Sequence, residues 1–174
     1  VLKYWFDIDL IKKSQDELKT ITNIIDSLLH FAESLKITDL KYINLENFLK
    51  NYISTINLKW KKIYIHNKEF NYLIKTDEAL FLRVIKNLLE NALKYTFSQE
   101  VNIFIKNNQL VIENEIEKTM STYEINEIYF KFYSNSKNKW SYWIWIPLIK
   151  EILKVLWYWF EIYSNNNKFY AVIN

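Results

Sequence analysis

Read in order, the chain runs helix, hairpin, helix, hairpin, and this predicts a two-layer α/β sandwich with helices over one face of a mixed sheet. Two further observations support that reading. Apolar residues recur at helical spacing through 44–56, 77–95 and 144–156, while Lys61–His66, Val101–Lys106 and Gln109–Glu115 carry strand-like runs. Ahead of them, Leu18, Ile21, Ile25, Leu28, Ala32 and Leu35 follow a 3-4-3-4-3 spacing, the seam of a long bundle helix. A chain of 174 residues, half of them apolar, suits one medium domain with a helical appendage.

The appendage is a helix over residues 7–35, with Asp7 or Asp9 as its cap. A lone helix of this kind leaves its stripe wet, so a helical bundle is expected. Residues 36–43 read as a connector. Asn44 caps a short helix whose buried stripe is Leu45, Phe48, Leu49, Tyr52, Ile53 and Ile56. Lys61–His66 and Phe70–Lys75 are expected to pair as a hairpin through Asn67-Lys68. Asp77 caps the central helix, and Asn107-Asn108 turns a second hairpin. Residues 122–134 hold an aromatic cluster at helical spacing. Ser134 to Ser141 is polar, with Lys137 and Lys139, and is expected to be mobile. The next helix spans 144–156 and tolerates Pro147 in its first turn. Phe160–Tyr163 and Lys168–Ile173 close the sheet around Asn165–Asn167.

Composition excludes several chemistries. There is no cysteine, so no disulfide framework, thiol nucleophile or Cys-based zinc site. The two histidines, His30 and His66, lack a second histidine at metal spacing. A net charge of +3 is too small and scattered to announce nucleic acid. No apolar run approaches the roughly 18 residues a bilayer span needs, and the N-terminus does not read as a signal peptide. Glu113 and Glu115 lie in one strand and point to opposite faces, so they read as solvated charge rather than an acid/base pair.

The residues with most chemistry sit on the central helix. Leu80, Val84, Leu88 and Leu89 turn one face to the core, while Asn87, Asn91 and Lys94 gather on another. Carboxamides offer neutral oxygen ligands to a hard cation, and a lysine offers a point charge to a phosphate. A solvated polar face is the plain alternative, and spacing alone favours it.

Asn87-Leu88-Leu89-Glu90-Asn91-Ala92-Leu93-Lys94-Tyr95-Thr96 resembles the N-box of the histidine-kinase branch of the GHKL ATPases, with Asp77 to Arg83 as the approach to it. The resemblance runs on to the end of the chain and implies a Bergerat-type ATP-binding fold over 39–174. Residues 1–38 resemble part of the dimerisation and phosphotransfer hairpin. By that resemblance the ligands are ATP and Mg2+. Asn87 and Asn91 are the catalytic and metal-holding residues, and Asn91, Lys94 and Tyr95 meet the nucleotide. Asn114 stands where the family has an adenine-binding aspartate. Ile128, Tyr129 and Phe132 match the F-box. Residues 139–146 match the glycine-rich lid, with Lys139, Ser141, Tyr142, Trp143 and Trp145 as nucleotide contacts. His30 is followed by Phe31 rather than an acidic residue, so the acceptor histidine is expected outside this segment.

The implied activity is that of the catalytic domain of a two-component sensor histidine kinase, passing the γ-phosphoryl of ATP to that histidine. Its implied partners are a second copy, through the N-terminal helix, and a response regulator; nucleic acid is not among them. The implied location is the cytoplasmic side of an inner-membrane sensor, attached only through a segment outside these residues. The alternative is a non-catalytic GHKL-like dimerising regulatory module with a degenerate nucleotide pocket. The missing aspartate and first glycine-rich motif favour it, and the intact N-box opposes it.

One compositional fact bears on the lid. At the usual frequency of about 7% the chain would carry about a dozen glycines, and it has none, against seven tryptophans. Trp143 and Trp145 stand where the resembled lid has glycine, and Trp157 and Trp159 where glycines follow the last helix. Trp5 and Trp60 occupy turn-like sites. The scarcity of Pro, Arg and Ala suggests an AT-rich genome. The reading that follows is that most or all of these tryptophans are UGA codons read as glycine in the native protein. The alternative is genuine tryptophans, packed as core or exposed as a sticky surface. A lid over phosphates needs close backbone approach and φ > 0, which glycine permits and tryptophan resists. Genuine indoles there would leave the lid unable to take nucleotide.

Overall fold

The computed structural model describes residues 37–69, 71–130 and 145–174, together with 10–15, 18 and 22. Ile37–Asn174 form one compact unit, separate from Val1–Lys36. Residues 10–15, 18 and 22 are helical, within the span expected for the long helix. The rest of that helix, including Ile21, Ile25, Leu28, His30, Ala32 and Leu35, lies outside the described residues.

The expected two-layer α/β sandwich is present. Its elements are β1 (Leu40–Asn44), α1 (Leu45–Thr55), β2 (Lys62–Asn67), β3 (Leu73–Asp77), α2 (Glu78–Tyr95), β4 (Glu100–Lys106), β5 (Gln109–Glu115), α3 (Thr122–Phe130), α4 (Trp145–Val155), β6 (Phe160–Asn165) and β7 (Lys168–Ile173). Five strands form the main sheet in the order β2-β4-β5-β7-β6, and β1 and β3 make a separate pair. Only β2 and β4 run parallel, so the sheet is mixed.

Two expectations about strand pairing are corrected. The stretch 36–43 is not simply a connector, because Leu40–Asn44 pairs antiparallel with β3. Nor do Lys61–His66 and Phe70–Lys75 form a hairpin. The first lies parallel to β4, and the strand begins again only at Leu73, beside β1. A parallel pair needs a crossover, and β3 with α2 supplies it. Both strands alternate well enough to suit either partner, so local pattern did not separate the two pairings.

Helix ends follow the expected caps. The Asn44 side chain accepts from the Asn47 amide at 2.9 Å. Asp77 Oδ1 accepts from the Ala79 and Leu80 amides, while Oδ2 accepts from Thr38 N–H, Thr38 Oγ1 and Asp39 N–H. Asp77 is 2% exposed. Burial would raise its pKa, but these bonds to the ionised form win and lower it from 3.8 to about 2. Ser121 and Glu124 cap α3 reciprocally.

The core lies between the helices and the inner face of the sheet. From α2 it takes Leu80, Phe81, Val84, Ile85, Leu88, Leu89 and Ala92; from α4, Ile146, Leu148, Ile149, Ile152 and Leu153; from the sheet, Val101, Ile103, Ile105, Ile112 and Ala171. The outer face carries stacked rings, Tyr163 on Tyr170 at 4.6 Å and His66 on Phe104 at 4.7 Å. Glu113 sits among them and corrects the reading of solvated charge. It is 7% exposed and paired with Lys168 at 2.9 Å.

Without glycine, the tight turns rely on asparagine. Asn107-Asn108 and Asn166-Asn167 take positive φ at both central positions, as type I′ hairpin turns require. Trp157 also takes positive φ, 61°, just past the end of α4. Its amide donates to Lys154 O, and the Tyr158 amide to Leu153 O, the paired bonds of a Schellman ending in which the left-handed residue is usually glycine.

Candidate functional site

The C-terminal half of α2 forms one wall of a cleft of about 380 Å³. The size and mixed lining are those of a small-molecule site. Leu88, Asn91, Ala92, Lys94 and Tyr95 come from the helix, and Thr96 and Phe97 from its exit. Ile112, Asn114, Phe169 and Ala171 come from β5 and β7, Ile116, Glu117, Lys118 and Met120 from the loop after β5, and Ile146 from the start of α4. The floor is largely apolar, and the charged groups Lys94, Glu117 and Lys118 are exposed. Such a cleft suits a flat heterocycle attached to an anionic tail.

Each wall is held by identifiable bonds. Lys61 Nζ donates to Leu93 O in the last turn of α2. The Thr96 amide closes that turn onto Ala92 O at 2.9 Å, and its hydroxyl donates to Glu100 O at 2.8 Å. Across the cleft, Asn167 Oδ1 accepts from both the amide and the hydroxyl of Thr119 at 3.0 Å. The Asn167 amide donates back to Thr119 Oγ1 at 2.7 Å, and the Met120 amide donates to Ser164 Oγ. Asn167 and Ser164 were absent from the sequence reading of the site. Asn165–Asn167 signalled only a turn, and nothing local indicates that its side chain reaches the loop.

Asn91, Lys94, Tyr95 and Asn114 all line this one cleft, although Asn114 comes from a different layer of the fold. Asn87 does not line it. One turn back on α2, its Nδ2 donates to Arg83 O at 2.9 Å, leaving Oδ1 as its acceptor. The Asn91 amide nitrogen is buried without a hydrogen-bond partner among the described residues. Leaving such a group unpaired costs about 1–3 kcal/mol. Asn114 is 3% exposed, and its Nδ2 reaches only Glu115 O, at 3.4 Å. Lys94 Nζ lies 5.8 Å from the centre of the Tyr95 ring.

Among the described residues no cluster of three or more His, Asp or Glu stands ready for a metal. A cation bound along α2 would be held by the carboxamide oxygens of Asn87 and Asn91 together with its ligand's own oxygens, whereas the unpaired Asn91 Nδ2 is a donor suited to an acceptor oxygen of that ligand. Lys139, Ser141, Tyr142 and Trp143 lie outside the described residues, as do Lys137, Trp140 and the F-box Phe132. Trp145 is placed only as the first residue of α4. Ile128 is 5% exposed, and Tyr129 donates its hydroxyl to Phe160 O at 2.8 Å. Among the described residues no helix is long and apolar enough to cross a membrane.

No family model matches the chain. In sequence it is 30% identical over 97 residues to the sensor histidine kinase ArsS of Helicobacter pylori, a match covering 55% of this chain and 22% of that kinase. The fold is similar to the catalytic domain of histidine kinase ThkA, with a TM-score of 0.62 at 10% identity over 78% of this chain and 94% of that one. It is similar also to the cytoplasmic segment of histidine kinase QseC, with a TM-score of 0.60 at 14% identity over 88% and 91% of the two chains. For the mycobacterial sensor histidine kinase MprB the TM-score is 0.62 at 12% identity, over 78% and 95%. The chain is thus similar in part of its sequence to a sensor histidine kinase and in fold to a histidine kinase catalytic domain.

Proposed function

We propose, from the fold shared with histidine kinase catalytic domains, that residues 39–174 are the ATP-binding catalytic domain of a two-component sensor histidine kinase. Residues 1–38 are then part of its dimerisation and phosphotransfer hairpin. The observation that carries this is the convergence of Asn91, Lys94 and Tyr95 from α2 with the buried Asn114 from β5 on one cleft of about 380 Å³.

In this reading Asn114 meets adenine over the apolar floor, and Lys94 and Tyr95 meet the sugar-phosphate end. The oxygens of Asn87 and Asn91 hold Mg2+. Mg-ATP supplies the γ-phosphoryl group and the divalent charge that offsets the phosphates. The chain's own part is positioning and charge neutralisation. Residues 139–146, with Lys139, Ser141, Tyr142, Trp143 and Trp145, close over the phosphates, and the acceptor histidine lies outside this segment. A second copy joins through the N-terminal helix, a response regulator receives the phosphoryl group, and the domain works in the cytoplasm. Incubation with radioactive ATP tests this: label is expected on a supplied hairpin bearing the histidine and not on this chain alone. An unlabelled hairpin, with the chain folded, would falsify the assignment.

A second reading, a dimerising module with a degenerate pocket, is favoured by one observation. The loop after β5 has neither glycine nor tryptophan and is tied to Asn167 and Ser164. Nucleotide titration with and without Mg2+ separates the two, since a degenerate pocket binds in neither case.

The tryptophan positions belong to the same proposal. Trp157 takes the left-handed place of a helix-ending glycine, and Trp60, Trp157 and Trp159 are 60%, 77% and 69% exposed. Tryptophan side chains are usually mostly buried, so residues standing in for glycine account for both facts. Intact-mass measurement of the native protein, or the codons at the seven positions, decides it.

A further inference from the structure

We infer that Asn114 opens the cleft to 6-keto purines as well as 6-amino purines, so that the chain binds GTP nearly as well as ATP. The inference rests on the proposal that the cleft takes a purine nucleotide, and it concerns which base is admitted.

Asn114 is 3% exposed and is the buried polar side chain of the cleft floor among the described residues. Its neighbours on that face, Ile112, Phe169 and Ala171, have no hydrogen-bonding side chain. Base discrimination by edge contact therefore falls to one group. A carboxylate there only accepts: it rewards an exocyclic amino group and repels a keto oxygen. A carboxamide has a donor and an acceptor of the same size. With Oδ1 toward the base edge and Nδ2 beside it, the pair accepts from the adenine 6-amino group and donates to N1. Turned end for end, it donates to the guanine 6-keto oxygen and accepts from N1–H.

Only an outside partner that pins the amide prevents that turn. The bond it makes, Nδ2 to Glu115 O at 3.4 Å, is at the long limit of a hydrogen bond and weakly orienting. Nor does a negative charge sit on the floor to repel the keto oxygen. Glu117, the acid that lines the cleft, is exposed in the loop. A two-way amide thus forfeits the roughly 5- to 150-fold discrimination that a well-fitted edge contact supplies.

Displacement of an N-methylanthraniloyl-ATP probe by ATP, GTP and ITP, each with Mg2+, tests this on the wild type, Asn114→Asp and Asn114→Ala. The wild type is expected to favour ATP over GTP by less than about tenfold, with ITP following GTP. Asn114→Asp is expected to widen the preference for ATP to about 30-fold or more. Asn114→Ala, which places no charge in the core, is expected to weaken both nucleotides alike. A wild-type preference beyond tenfold overturns the inference, as does an Asn114→Ala that weakens ATP alone or changes neither. In those cases ATP still displaces the probe and the nucleotide site stands. Displacement by none of the three removes the purine reading itself, and this inference with it.

Discussion

Along α2 the cleft wall is made by side chains whose relative positions are set within one helix. Asn91, Lys94 and Tyr95 take their places from the turn of the backbone. The facing wall, residues 114–120, is held by hydrogen bonds to a turn 48 residues further along the chain. The helical wall takes the spacing of Asn91, Lys94 and Tyr95 from the helix itself, with Lys61 tying its last turn through Leu93 O. The facing wall includes Asn114, the proposed base contact, and its loop is tied to Asn167 and Ser164. The expectation is that a wall spaced by one helix tolerates loss of distant contacts better than a wall made largely of loop.

The largest test of that contrast is Asn91→Leu. Nucleotide affinity in the presence of Mg2+ is expected to fall by about 100-fold or more, roughly 3 kcal/mol. Stability should stay level or rise, because a buried unsatisfied amide is replaced by an apolar group of similar size. Calorimetric titration and a melting curve together read both. A large loss of stability would show that Asn91 has a structural partner instead.

Asp77→Ala probes the far end of the same helix. Loss of the cap and its bonds to Thr38 and Asp39 is expected to cost about 2 kcal/mol. Its folded pKa of about 2 lies below the ordinary 3.8, so the carboxylate's contribution is fully present above 3.8 and is lost as pH falls through about 2. Denaturant curves from pH 5 to pH 2 should therefore fall less steeply for the variant than for the wild type. Nucleotide affinity at pH 7 is expected to hold, because Asp77 lies outside the cleft.

The loop wall answers to Asn167. Asn167→Gly keeps the left-handed turn and removes the carboxamide that accepts from Thr119. About 1 kcal/mol of stability and about fivefold in nucleotide affinity should go with it. Asn167→Ala also strains the turn, adding about 1 kcal/mol. Affinity unchanged in both variants would mean that the loop keeps its place without the Asn167 carboxamide.

The smallest effect is at Trp157. Asn167 and Trp157 both have positive φ, but asparagine tolerates that region and tryptophan does not. Trp157→Gly is expected to stabilise by about 1 kcal/mol, read as a rise in melting temperature, with nucleotide binding unmoved. A fall in stability would mean that the exposed indole contributes contacts outweighing the backbone strain, and would count against glycine as the native residue.

Much of the fold and the helical wall of the cleft was legible in the sequence, and the reason is local. The helices at 44–56, 77–95 and 144–156 were found within a few residues of their ends, because period, cap and C-terminal turn all lie inside the segment that forms. The Asn107-Asn108 and Asn165–Asn167 turns were visible because few residues other than glycine enter the left-handed region readily. Asn91, Lys94 and Tyr95 share a cleft because spacings of three and four residues put Lys94 and Tyr95 beside Asn91 on one helix surface.

What local pattern left open was partnership between strands and across layers. Tertiary packing brought Leu40–Asn44 beside β3 and β2 beside β4, since an alternating strand presents the same edge to any neighbour. It buried Glu113 under the outer-face rings against Lys168, where sequence read a solvated charge. It separated Asn87, bonded back to Arg83, from the cleft that Asn91 lines. Residues a few positions apart determine turns, caps and faces through their own backbone geometry. Contacts between distant segments depend on the shape of the whole core, which no short window of sequence contains.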